Sequence, residues 1–518
     1  MNLFAIRALA RKELSFTILF FLTVSAFGKG VSPYQYGFSK AKTGEEKFWV
    51  LYNTHVDAIQ QETTVDYSGI NSIDLEIPSN AKSIPLSNKT DFRGVTLNVK
   101  NTKKDNFVLF TLTNKTTEIE VEKKCFSSFD FRAYPELRSG YVILIVEDAT
   151  PWVENRKGFN YGAIRKDVLL LQNGMAINRP ISPYNNETSS PKCNYVVATK
   201  EKKVFRNIVF NRVEESTAKT LLLTVRNTNN VEIRNITIHT PKNRELYADQ
   251  IILFEGCTNV KMSDINVDNT YSQSDKFGYA FGLNPVWNVT IQNVKATADW
   301  GVFACSNINK ATLKNCTINR FDLHCYGKDY YLENCTITGG MPISSMFGKM
   351  EFYKCVFDKA FPCEYRYDYN SYSPFDISFK DCVFKMNKDR YFIVYLSRLS
   401  EASNTRDELS IKCLPNVSIK NCTIKTAPDN ISWEVIHIGQ NYYPTPLGYI
   451  TNINIDGLKV IGDSNAFSIV SSNIETQNPV TVNVKNVRTP NSECVVNINN
   501  NKRDKVLVKT KKVDFSIR

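Results

Sequence analysis

The 518-residue sequence is poor in glycine, proline and histidine, with 22, 19 and 4 residues. With 12% aromatic and 42% hydrophobic residues, this excludes a collagen-like repeat, intrinsic disorder and a low-complexity tail as its main character. Cys-x-x-Cys spacing is absent, which removes the usual zinc frameworks. Acidic residues are outnumbered 52 to 64 by Lys and Arg, so a polyanion suits the chain better as a partner than a cation. The N-terminal apolar run, Phe16 to Phe27, is too short to cross a bilayer as a helix. It follows Arg7, Arg11 and Lys12 and contains Val24-Ser25-Ala26, small residues at a cleavage position. Residues 1–26 therefore read as a secretory signal peptide. They carry three positive charges and one negative, so their removal lowers the net charge from +12 to +10. No cysteine lies near the cut, so neither a lipoprotein nor another membrane anchor is expected. A periplasmic or secreted protein of this charge is expected to meet an acidic polysaccharide rather than nucleic acid.

What the chain has is a repeat. A phrase of the form polar-Asn-apolar-x-apolar returns at Arg206-Asn207-Ile208, Arg234-Asn235-Ile236, Ser263-Asp264-Ile265 and Gln292-Asn293-Val294. It continues at Asn315-Cys316, Asn334-Cys335, Lys354-Cys355, Asp381-Cys382, Asn421-Cys422, Asp456-Gly457 and Asn486-Val487. The spacings are 28, 29, 29, 22, 19, 20, 27, 40, 35 and 30 residues, in strand-like pieces rich in Val, Ile, Thr and Phe. Such turns cannot bury an apolar row alone, and stacking at about 4.8 Å per layer joins the rows into one core. The repeat predicts an all-β fold, a right-handed parallel β-helix with loop insertions and an N-terminal cap. A β-sandwich is the alternative, but sandwiches lack a fixed-phase repeat. The recurring Asn is expected to form an inward amide ladder at a bend. Length alone suggests two or three domains, although an elongated β-body holds this many residues in one. The divisions read as signal peptide 1–26, cap region 27–70 and β-helix catalytic domain 71–518. Residues 125–200 read as longer loops, and Lys509 to Lys512 as a solvated end.

The 13 cysteines include Cys316, Cys335, Cys355, Cys382 and Cys422 at one repeat position. Stacked side chains sit almost a strand spacing apart, wider than a relaxed disulfide, so these read as an inward column of thiols. The chemistry concentrates instead in Arg320-Phe321-Asp322-Leu323-His324-Cys325-Tyr326-Gly327-Lys328. Strand alternation points Phe321, Leu323 and Cys325 inward and lines up Arg320, Asp322, His324 and Tyr326 outside, with Lys328 nearby. His55, His239 and His437 lack comparable company and read as structural or surface residues.

The signal peptide, the Asn-rich coils and the stretch from Asp299-Trp300-Gly301-Val302-Phe303 to Gly327 resemble the pectate-lyase-like superfamily of right-handed parallel β-helix proteins. Within it the chain is most similar to bacterial polysaccharide lyases that degrade glycosaminoglycans such as chondroitin and dermatan sulfate. The resemblance covers roughly residues 70–518. It implies β-elimination on a uronic-acid polysaccharide by a protein expected to be a monomer. The proton at C5, α to a carboxylate, must be taken by a base while an acid serves the leaving oxygen. His324 and Tyr326 fill these roles in either order. Arg320 clamps the carboxylate, and Asp322 orients His324 or holds a sugar hydroxyl. Paired aspartates, Gly-His-Gly, Asp-Pro-His-Glu and Arg-x-Pro-x-x-Arg are all absent, which separates the chain from relatives that use them. A cofactor is not assigned, with Ca²⁺ the ion left open.

Two other functions fit the same scaffold. One is a glycoside hydrolase using two carboxylates among Asp299, Asp322 and Glu364. The other is a non-catalytic glycan-binding β-helix. For the lyase, the insertion near residue 365 is expected two layers, about 10 Å, from the His324 strip. Tyr365, Tyr367, Tyr369 and Tyr372 would serve there as sugar platforms, with Arg366 for a sulfate or carboxylate. Lys328 completes the expected substrate-binding residues. Shielding of the core is the competing role for these tyrosines.

Overall fold

A computed structural model of the chain describes residues 30–103, 105–148, 164–181, 184, 191–213, 220–239, 249–268, 279–296, 301–340, 342–343, 346–358, 362–365, 375–386, 390–396, 416–426, 432–438, 452–462, 466–472, 480–488, 498–500 and 508–515. The structure is a parallel β-helix: successive coils stack strand on strand, parallel at every described step. One inward row runs through Val231, Val260, Val289, Ala311, Tyr330, Met350, Ile377, Val417 and Ile453, each paired with the next and buried. A second row stacks Phe110, Leu223, Ile252, Phe281, Phe303 and Phe321. Its Phe281 and Phe303 rings lie 5.0 Å apart and nearly parallel. The third contains Ile208, Ile236, Ile265 and Val294, and after them the cysteine column.

The repeat phase marks the corners. Asn207, Asn235, Asp264, Asn293, Asn315, Asn334, Lys354, Asp381, Asn421 and Asn486 all have φ between 52° and 61°, and Gly457 has φ 80°. This left-handed conformation favours Asn, Asp and Gly and turns the chain sharply into the next face. Gly457, rather than Asp456, therefore holds the repeat position in its coil. The ladder is also not inward. Asn235, Asn293, Asn315 and Asn334 are exposed, because the left-handed residue turns its side chain out while the residue after it enters the core. The amides still bond coil to coil, with Asn235 Nδ2 donating to Asn207 Oδ1 at 2.7 Å and Asn293 to Asp264 at 2.8 Å.

The five stacked cysteines are inward and unpaired as disulfides. Each thiol approaches the carbonyl two residues earlier, as in Cys316 to Lys314 at 3.2 Å. Hydrogen bonding to Cys335, together with burial, holds the Cys316 thiol far above its ordinary pKa. These groups are small core residues, not nucleophiles.

Helix α1, Gly44–Gln60, starts at a capping box in which Thr43 accepts from the Glu46 amide and Glu46 accepts from the Thr43 amide. Its buried face, Phe48, Leu51, His55 and Ala58, meets the aromatic end of the first coils, including Phe92, Phe107 and Phe110. Residues 117–198 contain an element that differs from the loop reading: a five-stranded antiparallel sheet of Thr117–Ile119, Pro191–Ala198, Tyr141–Asp148, Lys166–Gln172 and Met175–Ala176. It is inserted between the strands Phe107–Thr113 and Lys203–Arg212 of neighbouring coils. One face has its own core around Phe126, Phe131, Leu144 and Leu169. The other, Ile143, Val168, Leu170 and Val196, packs against Trp287 of the β-helix. Both faces are buried, so Val142 to Val146 reads as a continuous apolar run rather than an alternating one. The basic run Lys509 to Lys512 lies in the strand Val508–Phe515, paired with Val480–Val487, and its side chains are outside the described residues.

Candidate active site

Arg320, Asp322 and His324 lie on the long strand Thr317–Glu333. Phe321 and Leu323 point into the core as the alternation requires. Pairing with the previous coil then slips: Cys305 faces Leu323, but Ser306 faces Cys325, so His324 is an extra residue in a β-bulge. Bulges re-aim side chains and interrupt the ladder, and they concentrate beside active sites.

The strip is not a uniformly open surface. Asp322 has no exposed surface, while Arg320 and His324 retain 19% and 20% of theirs. This corrects the reading of Asp322 as a residue that holds substrate directly: its carboxylate is enclosed by the site's own side chains. Arg320 donates its Nε–H to Asp322 Oδ1. Tyr279 reaches across from two coils earlier and donates its hydroxyl to Asp322 Oδ2 at 2.6 Å. The same phenol oxygen lies 2.9 Å from His324 Nε2. His324 Nε2 and Asp322 Oδ2 are themselves 3.7 Å apart, so the phenol mediates between them.

Small residues make that reach possible. Tyr279 is in register with Gly301, and a Cβ on Gly301 would stand 2.6 Å from the tyrosine ring. The two positions before Asp322 in its outward row are Gly282 and Ala304. Beneath it, burial and then the Asp322 charge hold the Cys305 thiol well above its ordinary pKa. With the phenol O–H donated to the Asp322 carboxylate, the phenol oxygen is left to accept from His324 Nε2–H. The basic lone pair of a neutral His324 is then on Nδ1, a buried atom.

Tyr279 was not legible in the strip, because 43 residues separate it from Asp322. Its only sequence trace is the run of small residues at Gly282, Gly301 and Ala304. Tyr326 lies on the same strand as His324, and its side chain is outside the described residues. Lys328 donates to the Pro180 carbonyl at 3.4 Å, tying the coil to the inserted sheet. Tyr365 falls two coils on, in register through Ile343 with buried Leu323. Its side chain, and Arg366, Tyr367, Tyr369, Tyr372 and Asp299 altogether, lie outside the described residues, as does the side chain of Glu364.

His55 is buried, with Nε2 2.7 Å from the Tyr67 hydroxyl. His239 has more company than expected: its Nδ1 lies 2.5 Å from Asp268 on the next coil, both about half exposed. His437 lies on the strand Ser432–Ile438, and its side chain is not described. Among the described residues no three His, Cys, Asp or Glu side chains converge on a metal position. None of the described helices is long and apolar enough to cross a membrane.

No protein-family model matches the sequence, and no curated protein matches it. Solved structures do match the fold. The tailspike protein gp49 from Pseudomonas phage LKA1 aligns with a TM-score of 0.56 at 13% identity, over 88% of this chain and 81% of that one. The tailspike gp61 of Pseudomonas phage phi297 follows at 0.43 and 12%, over 89% and 81%. Gp54, a tailspike of Acinetobacter baumannii bacteriophage AP22 solved with a capsular saccharide, aligns at 0.40 and 12%, over 93% and 76%. At these identities the likeness is one of fold.

Proposed function

We propose that the protein is an exported polysaccharide lyase that cleaves a uronic-acid-containing polysaccharide, such as chondroitin or dermatan sulfate, by β-elimination. The observation that carries this reading is the Arg320–Asp322–Tyr279–His324 network on the outer face of the β-helix. His324 takes the C5 proton, and Tyr326, two residues on, protonates the leaving oxygen. Asp322 does not touch the sugar. Through Tyr279 it fixes the His324 tautomer and favours the imidazolium that forms when the proton arrives. Arg320 supplies positive charge for the substrate carboxylate as charge develops at C5.

Because Nδ1 is covered, this mechanism requires the groups over the imidazole to move when the sugar binds. The bulge supplies the freedom, since His324 is the residue left out of the ladder. Hydrolysis by two carboxylates is less well supported, because Asp322 is enclosed and paired with Arg320. Incubation with a panel of acidic polysaccharides, followed by ultraviolet absorbance and mass spectrometry, tests the reading. Unsaturated uronate products from the wild-type chain, lost in His324→Ala, are expected. Saturated products only, or unsaturated products at near-normal rate in the variant, contradict it.

A further inference from the structure

The inserted antiparallel sheet is anchored beside the candidate active site. Asn307 accepts from the Lys166 amide at 3.1 Å, Asn309 donates to the Arg179 carbonyl at 2.5 Å, and Lys328 binds the Pro180 carbonyl. Asn309 and Lys328 are register neighbours on successive coils, and Lys328 follows His324 by four residues. The loop through Arg179 is therefore fastened to the edge of the face that carries the site.

From that loop a row of cations leads away from the β-helix. The Arg179 guanidinium lies over the Phe129 ring at 4.0 Å. The neighbours of Phe129, Ser128 and Asp130, line a hollow of about 850 Å³ with Lys124, Arg132, Arg138 and Asn173. This volume is within the range of small-ligand pockets, about 300–1,000 Å³. Arg132 is held by Asp130 at 2.6 Å, and Lys124 by Glu122 at 2.5 Å. Arg138 donates its Nε–H to the Arg132 carbonyl. Neither Arg138 nor Arg179 has a carboxylate partner among the described residues. The hollow also depends on Gly174, whose φ is 79° and where a Cβ would stand 2.9 Å from Arg132 Cγ.

We propose that this hollow is a second binding site for an anionic glycan, separate from the catalytic strip. The Arg138 fork in its lining, and that of Arg179 beside it over Phe129, would take the carboxylate or sulfate groups of a chain whose other portion lies at His324. Lys328 and Arg179 mark the path between the two. The ligand class rests on the reading of the strip as a uronic-acid site, whereas the binding itself does not need that chemistry.

The test uses the full chain carrying His324→Gln, so that a polymer is bound without being cut. Fluorescently labelled chondroitin sulfate, hyaluronan and neutral dextran are titrated by anisotropy at fixed ionic strength. Adding Arg138→Ala and Arg179→Ala is expected to raise the Kd for the acidic polymers about tenfold, with dextran unbound throughout. A Kd within twofold, in a variant that melts at the parent temperature, overturns the site. Arg138→Gln with Arg179→Gln replaces the alanine pair if that pair melts early. Arginine-dependent binding by a wild-type chain that forms no unsaturated product would sink the lyase reading and leave this site standing. Product formation with arginine-independent binding would do the reverse.

Discussion

Asp322 sits in an outward register position yet has no exposed surface, and it bonds to both Arg320 and Tyr279. Alternation along the strand correctly sorts Phe321 and Leu323 from Arg320, Asp322 and His324. It does not reveal burial, because the phenol that bonds Asp322 comes from Tyr279 of another coil. On the relay account, Tyr279→Phe removes the bridge while leaving the ring in place over Gly301. Turnover is expected to fall about 10- to 100-fold with KM little changed, and steady-state kinetics on a uronic-acid polymer check this. Asp322→Asn strips Arg320 of its charge partner. It is expected to cost about 3 kcal/mol in denaturant unfolding, near the lower end for a broken buried pair. His55 gives a separate, pH-dependent prediction. Burial pushes its pKa down to about 3, so the folded chain keeps it neutral while the unfolded chain protonates it below about 6.5. Its contribution is complete above that pH and is lost as the pH falls toward 3, at up to about 1.4 kcal/mol per unit. His55→Leu combined with Tyr67→Phe should flatten the fall of melting temperature between pH 6 and 4. An unchanged slope would place the sensitivity elsewhere.

At the scale of the element, the corner is the informative unit. The spacing of the Asn phrase gives the coil phase because each left-handed corner needs a residue that tolerates positive φ. The same geometry explains why the amide ladder is outside: one residue cannot both turn the corner and enter the core. Asn334 has φ 52° and donates to Asn315 at 3.4 Å. Asn334→Ala is expected to destabilise by about 1–2 kcal/mol, and Asn334→Gly by less, as Gly457 in the equivalent position suggests. Equal losses from both variants in thermal unfolding would place the cost in the ladder rather than in the backbone. The inserted sheet was the element least legible from sequence. Its strands Tyr141–Asp148 and Lys166–Gln172 are buried on both faces and so lack the two-residue period that marks a half-exposed strand.

For the whole molecule, the coil repeat was legible because every coil repeats the same three-row solution. The candidate site was legible only in part, because Tyr279 and Asp322 come from coils two apart and 43 residues apart in sequence. Tyr279 and Asp322 meet through the β-helix stacking, and the inserted sheet reaches the same neighbourhood through Asn307, Asn309 and Lys328. On the proposed mechanism, this face eliminates across a uronic-acid linkage with His324 as the proton acceptor. The direct measurement is the rate of ultraviolet absorbance gain from chondroitin or dermatan sulfate, with wild type and His324→Ala compared at equal folded concentration. A steady gain is expected for wild type, with a loss of at least about 100-fold in the variant. Depolymerisation by the wild type without any absorbance gain, or equal gain by both proteins, would contradict it.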